Sequence, residues 1–267
     1  MKSTQRVLIT GAGSGLGQAL AHRFAAGGAH VACVDIQSER AQATLAELPG
    51  SGHAAFTADV GNDDSMQAMA DAVLVGWGVP DVLINNAGIA SGGDVLEAPI
   101  GEWRHLWEVN VLSVVRGTRL FLPAMLKRGF GHIVSTASFA GLAGAPGLMT
   151  YGVSKAAVVA FSEQLRAECF GTGVDVSVIC PAFFKTNLMQ STVGTEKIKH
   201  LGQKMMDRSP DSLDQVADRV FADINRRRFL IIPTKNEPML WRIKRFFPNG
   251  YFRLLAKRTR DMRVRST

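Results

Sequence analysis

Tyr151 and Lys155, four residues apart in the run Tyr-Gly-Val-Ser-Lys, are the pair in this chain best suited to do chemistry. On a helix, positions i and i+4 share a face, so the phenol and the ammonium become neighbours. A nearby ammonium favours the phenolate, which draws a group with an ordinary pKa of about 10 toward neutrality and makes it a usable proton donor and acceptor. Ser138 precedes the pair in the run Ile-Val-Ser-Thr-Ala-Ser. Many helices carry a Tyr and a Lys at this spacing, so the elements around the pair must supply the reason for it.

The first of those elements opens the chain. Arg6–Thr10 reads as a short buried strand and runs straight into Gly11-Ala-Gly-Ser-Gly-Leu-Gly17, after which an apolar-periodic helix continues to Gly27-Gly28. Strand, glycine turn and helix form the phosphate-binding start of a doubly wound α/β fold. The glycines let the backbone approach a pyrophosphate, and the helix N-terminus stabilises its charge. The next predicted strand, His30–Asp35, ends in an acid about 20 residues after the turn, where a carboxylate accepts from ribose hydroxyls and repels a 2′-phosphate. Ile36 beside it and Ser14 in the turn offer that phosphate no basic partner. NAD is therefore expected in preference to NADP.

Further elements alternate. Ser38–Leu48 is helical and broken by Pro49-Gly-Ser-Gly52, His53–Thr57 is a third strand, and Asp63–Gly76 is a helix. Between the last two, Asp59 stands either at an adenine site or as a helix cap. Asp81–Asn85 is a compact strand leading into Asn85-Asn-Ala-Gly88, whose polar side chains bond backbone and shape the site. Gly101–Arg128 is long enough for one continuous helix, with Asn110 inside it either solvated or, if buried, in need of partners. Strand Gly131–Thr136 is followed by Ser138 and a small-residue loop to Leu148. Helix Met149–Phe170 then carries the Tyr–Lys pair, and strand Val174–Cys180 stops at Pro181, ahead of Ala182-Phe-Phe184-Lys-Thr186. Residues 187–210 read as a mobile lid or substrate loop, Ser212–Asn225 as a helix and Phe229–Ile232 as a last strand. The alternation predicts a single-domain, Rossmann-like α/β fold: a doubly wound parallel sheet with helices on both faces.

Composition narrows the function classes. At 267 residues the chain can bury one large core. Three separated cysteines suit free thiols in a reducing cytoplasm, and the six histidines show no metal-ligand spacing, so no metal is expected. The start of the chain passes into a strand within a few residues, leaving no room for a signal peptide. No uninterrupted apolar run approaches the roughly 18 residues of a spanning helix. A cytoplasmic protein, at most peripheral at a membrane surface, is expected.

Several separated motifs, in order, resemble the short-chain dehydrogenase/reductase family over about residues 4–235. Thr10-Gly-Ala-Gly-Ser-Gly-Leu-Gly17 is similar to its cofactor turn, Asn85-Asn-Ala-Gly88 to its sheet-supporting motif, and Asn110, Ser138, Tyr151 and Lys155 to its catalytic tetrad. The resemblance implies an NAD(P)-dependent oxidoreductase that interconverts an alcohol and a ketone or aldehyde. Tyr151 would then be the acid/base and Ser138 the anchor of the substrate oxygen. Lys155 would lower the tyrosine pKa and bind the nicotinamide ribose, and Asn110 would support a water chain. It also implies cofactor contacts at Gly11, Ser14, Gly15, Leu16, Gly17, Asp35, Ile36, Asp59, Val60, Asn86, Ala87, Gly88, Tyr151, Lys155, Pro181, Phe184 and Thr186, and a homodimer or homotetramer. One departure is Ala182, where the family usually has glycine after the proline, so altered loop geometry is expected there. Met189, Leu201, Met205, Met206, Phe183 and Phe184 suggest a hydrophobic substrate. An NAD-sensing or scaffold protein of the same fold with little turnover is the alternative, against which the complete tetrad speaks.

The net charge of +7 is not evenly spread. Residues 238–267 carry nine Lys or Arg against one acid, Asp261, which makes the tail +8 and leaves −1 for the 237 residues before it. The expected organisation is a dinucleotide-binding and catalytic domain over 1–237 and a basic amphipathic extension over 238–267. Large apolar residues interleaved with cations fit contact with a membrane surface through 238–265. They fit equally the packing of the apolar half on the body or a neighbouring subunit. Nucleic acid fits only the charge, since no recognition motif accompanies it.

Overall fold

The computed structural model describes residues 4–184, 202–204 and 206–264, with the side chains of 258–264 excepted. Its centre is a seven-stranded, wholly parallel sheet in the order β3-β2-β1-β4-β5-β6-β7. The strands are β1 (Arg6–Thr10), β2 (His30–Asp35), β3 (Ala54–Thr57), β4 (Val82–Asn85), β5 (Gly131–Thr136), β6 (Val174–Ile179) and β7 (Leu230–Ile231). The helices are α1 (Gly15–Ala26), α2 (Ser38–Glu47), α3 (Asp63–Gly76), α4 (Ile100–Trp107), α5 (Ser113–Arg128), α6 (Phe139–Ala143), α7 (Met149–Glu168), α8 (Leu213–Asn225), α9 (Glu237–Phe246) and α10 (Pro248–Val264).

The apolar strand runs follow from burial on both faces, since successive side chains of a strand point to opposite sides. Val7 and Ile9 join a core with Leu20 and Phe24 of α1 and Val216 and Val220 of α8. Leu8 between them faces the other way, onto Met66, Met69 and Val73 of α3 and Phe121 and Met125 of α5. The chain order reverses direction between β1 and β4, and in open α/β sheets ligands bind outside the carboxyl ends of the strands at such a point. The glycine turn after β1 and the Asn-Ala-Gly turn after β4 therefore face each other across the cleft that forms the site.

Most predicted elements are found within a residue or two of their expected ends, and four findings differ. The stretch predicted as one regular helix over Gly101–Arg128 is interrupted by a π-helical turn, Glu108–Leu112. The small-residue loop after Ser138 contains a five-residue helix, α6, capped by the Ser138 hydroxyl, which accepts from Ala140 N at 3.1 Å. The last strand is only two residues long. The basic tail forms two helices, α9 and α10. Most of the predicted lid over 187–210 lies outside the described residues.

The rod Ile100–Arg128 is long and apolar enough, by length and composition alone, to cross a bilayer. Its apolar face is instead spent on the core: Val114, Phe121 and Met125 are buried. Arg116 bonds Glu108 Oε2 at 2.6 Å and also pairs with Asp63 of α3.

Candidate active site

At the N-terminus of α1, Ser14 adopts an extended conformation (φ −163°, ψ 169°) and its hydroxyl caps nothing, while the first turn carries no acid. The orphan N–H groups and the positive end of the helix dipole are thus free for an anion. Gly11 has φ +65°, and a Cβ there would stand 2.9 Å from Ala87 Cα, so only glycine fits. Gly17 serves packing: its Cβ would lie 2.2 Å from Gly11 O, which holds the helix start tight against the turn. Across the gap, Thr10 Oγ1 accepts from Asn86 N (3.0 Å) and Ala87 N (3.1 Å), and Asn86 Nδ2 donates to Thr10 O (3.1 Å). The two turns are locked together by side chains, which pre-forms the cleft.

At the other end of the cleft, Asp35 is 9% exposed. Its Oδ2 accepts from Gly13 N at 3.0 Å and its Oδ1 from Gln37 N at 3.1 Å, so the carboxylate is fixed in direction. Arg40 of α2 lines the same cleft, and its Cβ is so close that a Cβ on Gly13 would approach it to 2.5 Å. A basic residue is therefore near the Asp35 end after all. It was missed because it belongs to a helix whose sequence reads as solvent-facing. Asp59 lines the cleft too, and its carboxylate accepts from Gly61 N at 2.8 Å in a turn. The helix-cap alternative for Asp59 fails, since Asn62 caps α3 by accepting from Ser65 N at 2.9 Å.

Asn110 is fully buried in the π turn, which removes the solvated reading. Its Oδ1 accepts from Ile89 N (2.9 Å), and its Nδ2 donates to Ile89 O (3.0 Å) and to Ser154 Oγ (3.1 Å). The amide clamps the segment after β4 onto α7, the helix of the Tyr–Lys pair. A π turn inserts one residue into the helical repeat and often marks a functional site. Here it aims Asn110 inward where a regular helix would carry it past. Asn110→Ala, which leaves Ile89 N–H and C=O unpaired, is expected to lower unfolding stability by about 2 kcal/mol, measurable by urea denaturation.

Ser138, Tyr151 and Lys155 converge at the end of β5. The Ser138 hydroxyl donates to Pro181 O at 3.3 Å, and beside the half-buried phenol of Tyr151 it opposes the upward push of burial on that group. Lys155 is 4% exposed; its Nζ donates to Thr136 O at 2.9 Å and stands 5.9 Å from the Tyr151 ring centroid. Burial lowers the lysine pKa to about 8. Burial also raises the pKa of the phenol, opposed by the Ser138 hydrogen bond. The net direction for the phenol is therefore upward, set first by burial. The ammonium is bonded to Thr136 O, and desolvation outweighs the Ser138 bond. The Cys180 thiol beside them is pushed up by burial and stays protonated.

All the expected cofactor residues line one cleft of about 530 Å³, except Gly17, which packs behind it, and Thr186, which is outside the described residues. Gln37, Arg40, His105, Val109 and Thr136 also line it and were not singled out from sequence. Also missed was Glu102, whose Oε1 accepts from Thr150 Oγ1 at 3.1 Å and from Ser91 Oγ, tying α4 to the residue before Tyr151. Ala182 brings no backbone strain: among the described non-glycine residues only Arg227 has positive φ.

With this geometry in hand, known proteins give a consistent comparison. Residues 5–197 match the family model described as short chain dehydrogenase. The "Probable oxidoreductase EphD" of Mycobacterium tuberculosis is 34% identical over 256 residues, covering 91% of this chain but only 43% of that protein. Meso-2,3-butanediol dehydrogenase of Serratia marcescens is 39% identical over 182 residues, 68% of this chain and 72% of the relative. Among solved structures, a short-chain dehydrogenase/reductase from Burkholderia phymatum in complex with NAD superposes with a TM-score of 0.84 at 31% identity, covering 91% of this chain and 93% of that one.

Proposed function

Because the chain belongs to the short-chain dehydrogenase family, we propose that this oxidoreductase interconverts a hydrophobic alcohol and the corresponding ketone or aldehyde with NAD, Tyr151 moving the proton. The observation that carries the reading is the Tyr151 phenol with Lys155 beside it, both lining the same cleft as the uncapped N-terminus of α1, with Ser138 adjoining the phenol.

The residues fit a nicotinamide dinucleotide. The free first-turn N–H groups of α1 at Ser14, Gly15 and Leu16 suit its pyrophosphate, and the Asp35 carboxylate suits the adenosine ribose hydroxyls. Lys155 suits the nicotinamide ribose. Bound there, the cofactor supplies the hydride acceptor or donor. In this reading Ser138 holds the substrate oxygen by hydrogen bond and Tyr151 gives or takes its proton. Asn110 keeps α7 in register. Phe184, buried and lining the cleft, supports an apolar substrate. A sensor without turnover would have no use for a phenol, hydroxyl and ammonium brought to one point. Trp107 of α4 and Val153 of α7, each 41% exposed on neighbouring helices, support a homodimer or homotetramer, to be read by analytical ultracentrifugation.

A screen of alcohols and ketones with NAD(H), followed by nicotinamide absorbance, tests the activity. Turnover of a secondary alcohol or its ketone is expected, and NADH binding with no turnover across the panel would favour the sensor. The choice of NAD rests on Asp35, with Arg40 as the reason NADP stays the alternative. Asp35→Asn removes the charge with little change in shape, and it should shift relative affinity toward NADPH by about tenfold or more. Fluorescence titration with both cofactors measures this. Tighter binding of NADPH than NADH by the unmodified chain would defeat the NAD assignment.

A further inference from the structure

The two C-terminal helices are the largest feature that the proposed reaction does not use. α9 starts with Pro238 in its first turn and ends with Lys244 and Arg245 in its last, where cations complement the helix dipole. Its attachment to the body is specific: Lys244 Nζ donates to Leu142 O of α6, and partial burial lowers the lysine pKa. Tyr251 of α10 is 6% exposed. So the packing expected of the tail accounts for one side of it.

The other side does not pack. Phe246 is 69% exposed, Phe247 70% and Phe252 68%, and Met239, in the first turn of α9, is 64% exposed. Three phenylalanines at one helix corner are too much apolar surface to be incidental in a soluble chain. Exposed Arg242, Arg245, Arg253 and Lys257 lie within five residues of them along the chain, and no acid occurs from 238 to 257.

We propose that the α9–α10 corner is a docking surface for an anionic lipid bilayer, inserting Phe246, Phe247 and Phe252 while these cations meet lipid headgroups. Apolar area and positive charge on one amphipathic element are what such binding requires. Charge complementarity selects this occupant over a second copy of the chain, because a tail-to-tail contact sets +8 against +8. Since α9 is seated on α6, whose N-cap is Ser138, docking brings the rim of the catalytic cleft to the lipid surface. The proposal does not depend on the oxidoreductase reading.

Flotation of the full chain with phosphatidylcholine vesicles, with and without phosphatidylserine, tests it. Partition onto the anionic vesicles should be favoured about tenfold or more. Replacing Phe246, Phe247 and Phe252 by Ser should weaken it at least about tenfold, as should replacing Arg242, Arg245, Arg253 and Lys257 by Gln. Thermal unfolding midpoints check that both variants are folded. In the unmodified chain, about 1 M salt, where the screening length is near 3 Å, should release the protein. Equal partition onto both vesicle types would overturn the proposal, as would binding that the serine variant retains. So would a smaller oligomeric mass of that variant without lipid, which marks a subunit contact, or displacement from vesicles by duplex DNA at comparable concentration.

Discussion

Tyr151→Phe is expected to lower turnover about a thousandfold, the middle of the range a positioned general acid or base supplies, equivalent to about 4 kcal/mol of barrier. The substitution removes one oxygen and keeps the ring, so α7 retains its packing and Ser138 keeps its bond to Pro181 O. NADH affinity should stay within about threefold, because only an interaction used in the reacting state is lost. The pH profile carries the sharper test. Burial raises the phenol pKa, so the phenolate that accepts a proton from an alcohol is scarce at neutral pH. Oxidation should therefore quicken as pH rises into the alkaline range, with an apparent pKa belonging to the coupled Tyr151–Lys155 pair. Reduction needs the protonated phenol and should fall in the same range. The phenylalanine variant should lack both limbs, and a variant that kept them at wild-type rates would remove Tyr151 from the acid/base role.

The parts of this site that were legible in the sequence are those built from local rules. A glycine turn between strand and helix, an acid at the end of β2, Asn86 at a strand exit and a Tyr–Lys pair at helical spacing each bear on the residues beside them, and the parallel sheet follows from the alternation of elements. What was not legible depends on long-range approach. Asn110 read equally well as solvated because the apolar repeat over 100–128 fits an unbroken helix; one inserted residue in the π turn decides that it points inward. Arg40, His105 and Glu102 sit on helices with ordinary surface patterns, and only the closure of α2 and α4 over the strand ends brings them to the cleft or to the start of α7. The electrostatics of the pair likewise depend on more than spacing. Spacing sets Lys155 beside Tyr151, but burial and the carbonyl of Thr136 determine what each group's proton does.

That burial leads to the second large effect. Lys155→Met should reduce turnover at least about a hundredfold, because it removes a buried cation beside the acid/base, and yet it should not destabilise the cofactor-free protein at neutral pH. The folded-state pKa of Lys155 is about 8, below the ordinary 10.5 of the unfolded chain. Below about pH 8 both states hold the proton, and the fold bears the full cost of an ammonium in a poorly solvated place. Between about 8 and 10.5 the unfolded chain binds more protons than the folded one, so stability from this group rises with pH. The total is up to about 3 kcal/mol, at about 1.4 kcal/mol per unit. Methionine carries no charge at any pH, so its advantage, reduced by the lost bond to Thr136 O of about 1 kcal/mol, should be greatest below pH 8 and fade toward 10.5. Urea denaturation of both proteins across that range, taken as the difference between them, isolates Lys155 from other titrating groups. A methionine variant that is less stable than the native chain at pH 7 and equally so at pH 10 would mean that Lys155 is held as an ordinary structural donor. A variant that gains stability as it loses activity identifies a charge kept in the core at a cost to the fold, for the sake of the chemistry beside it.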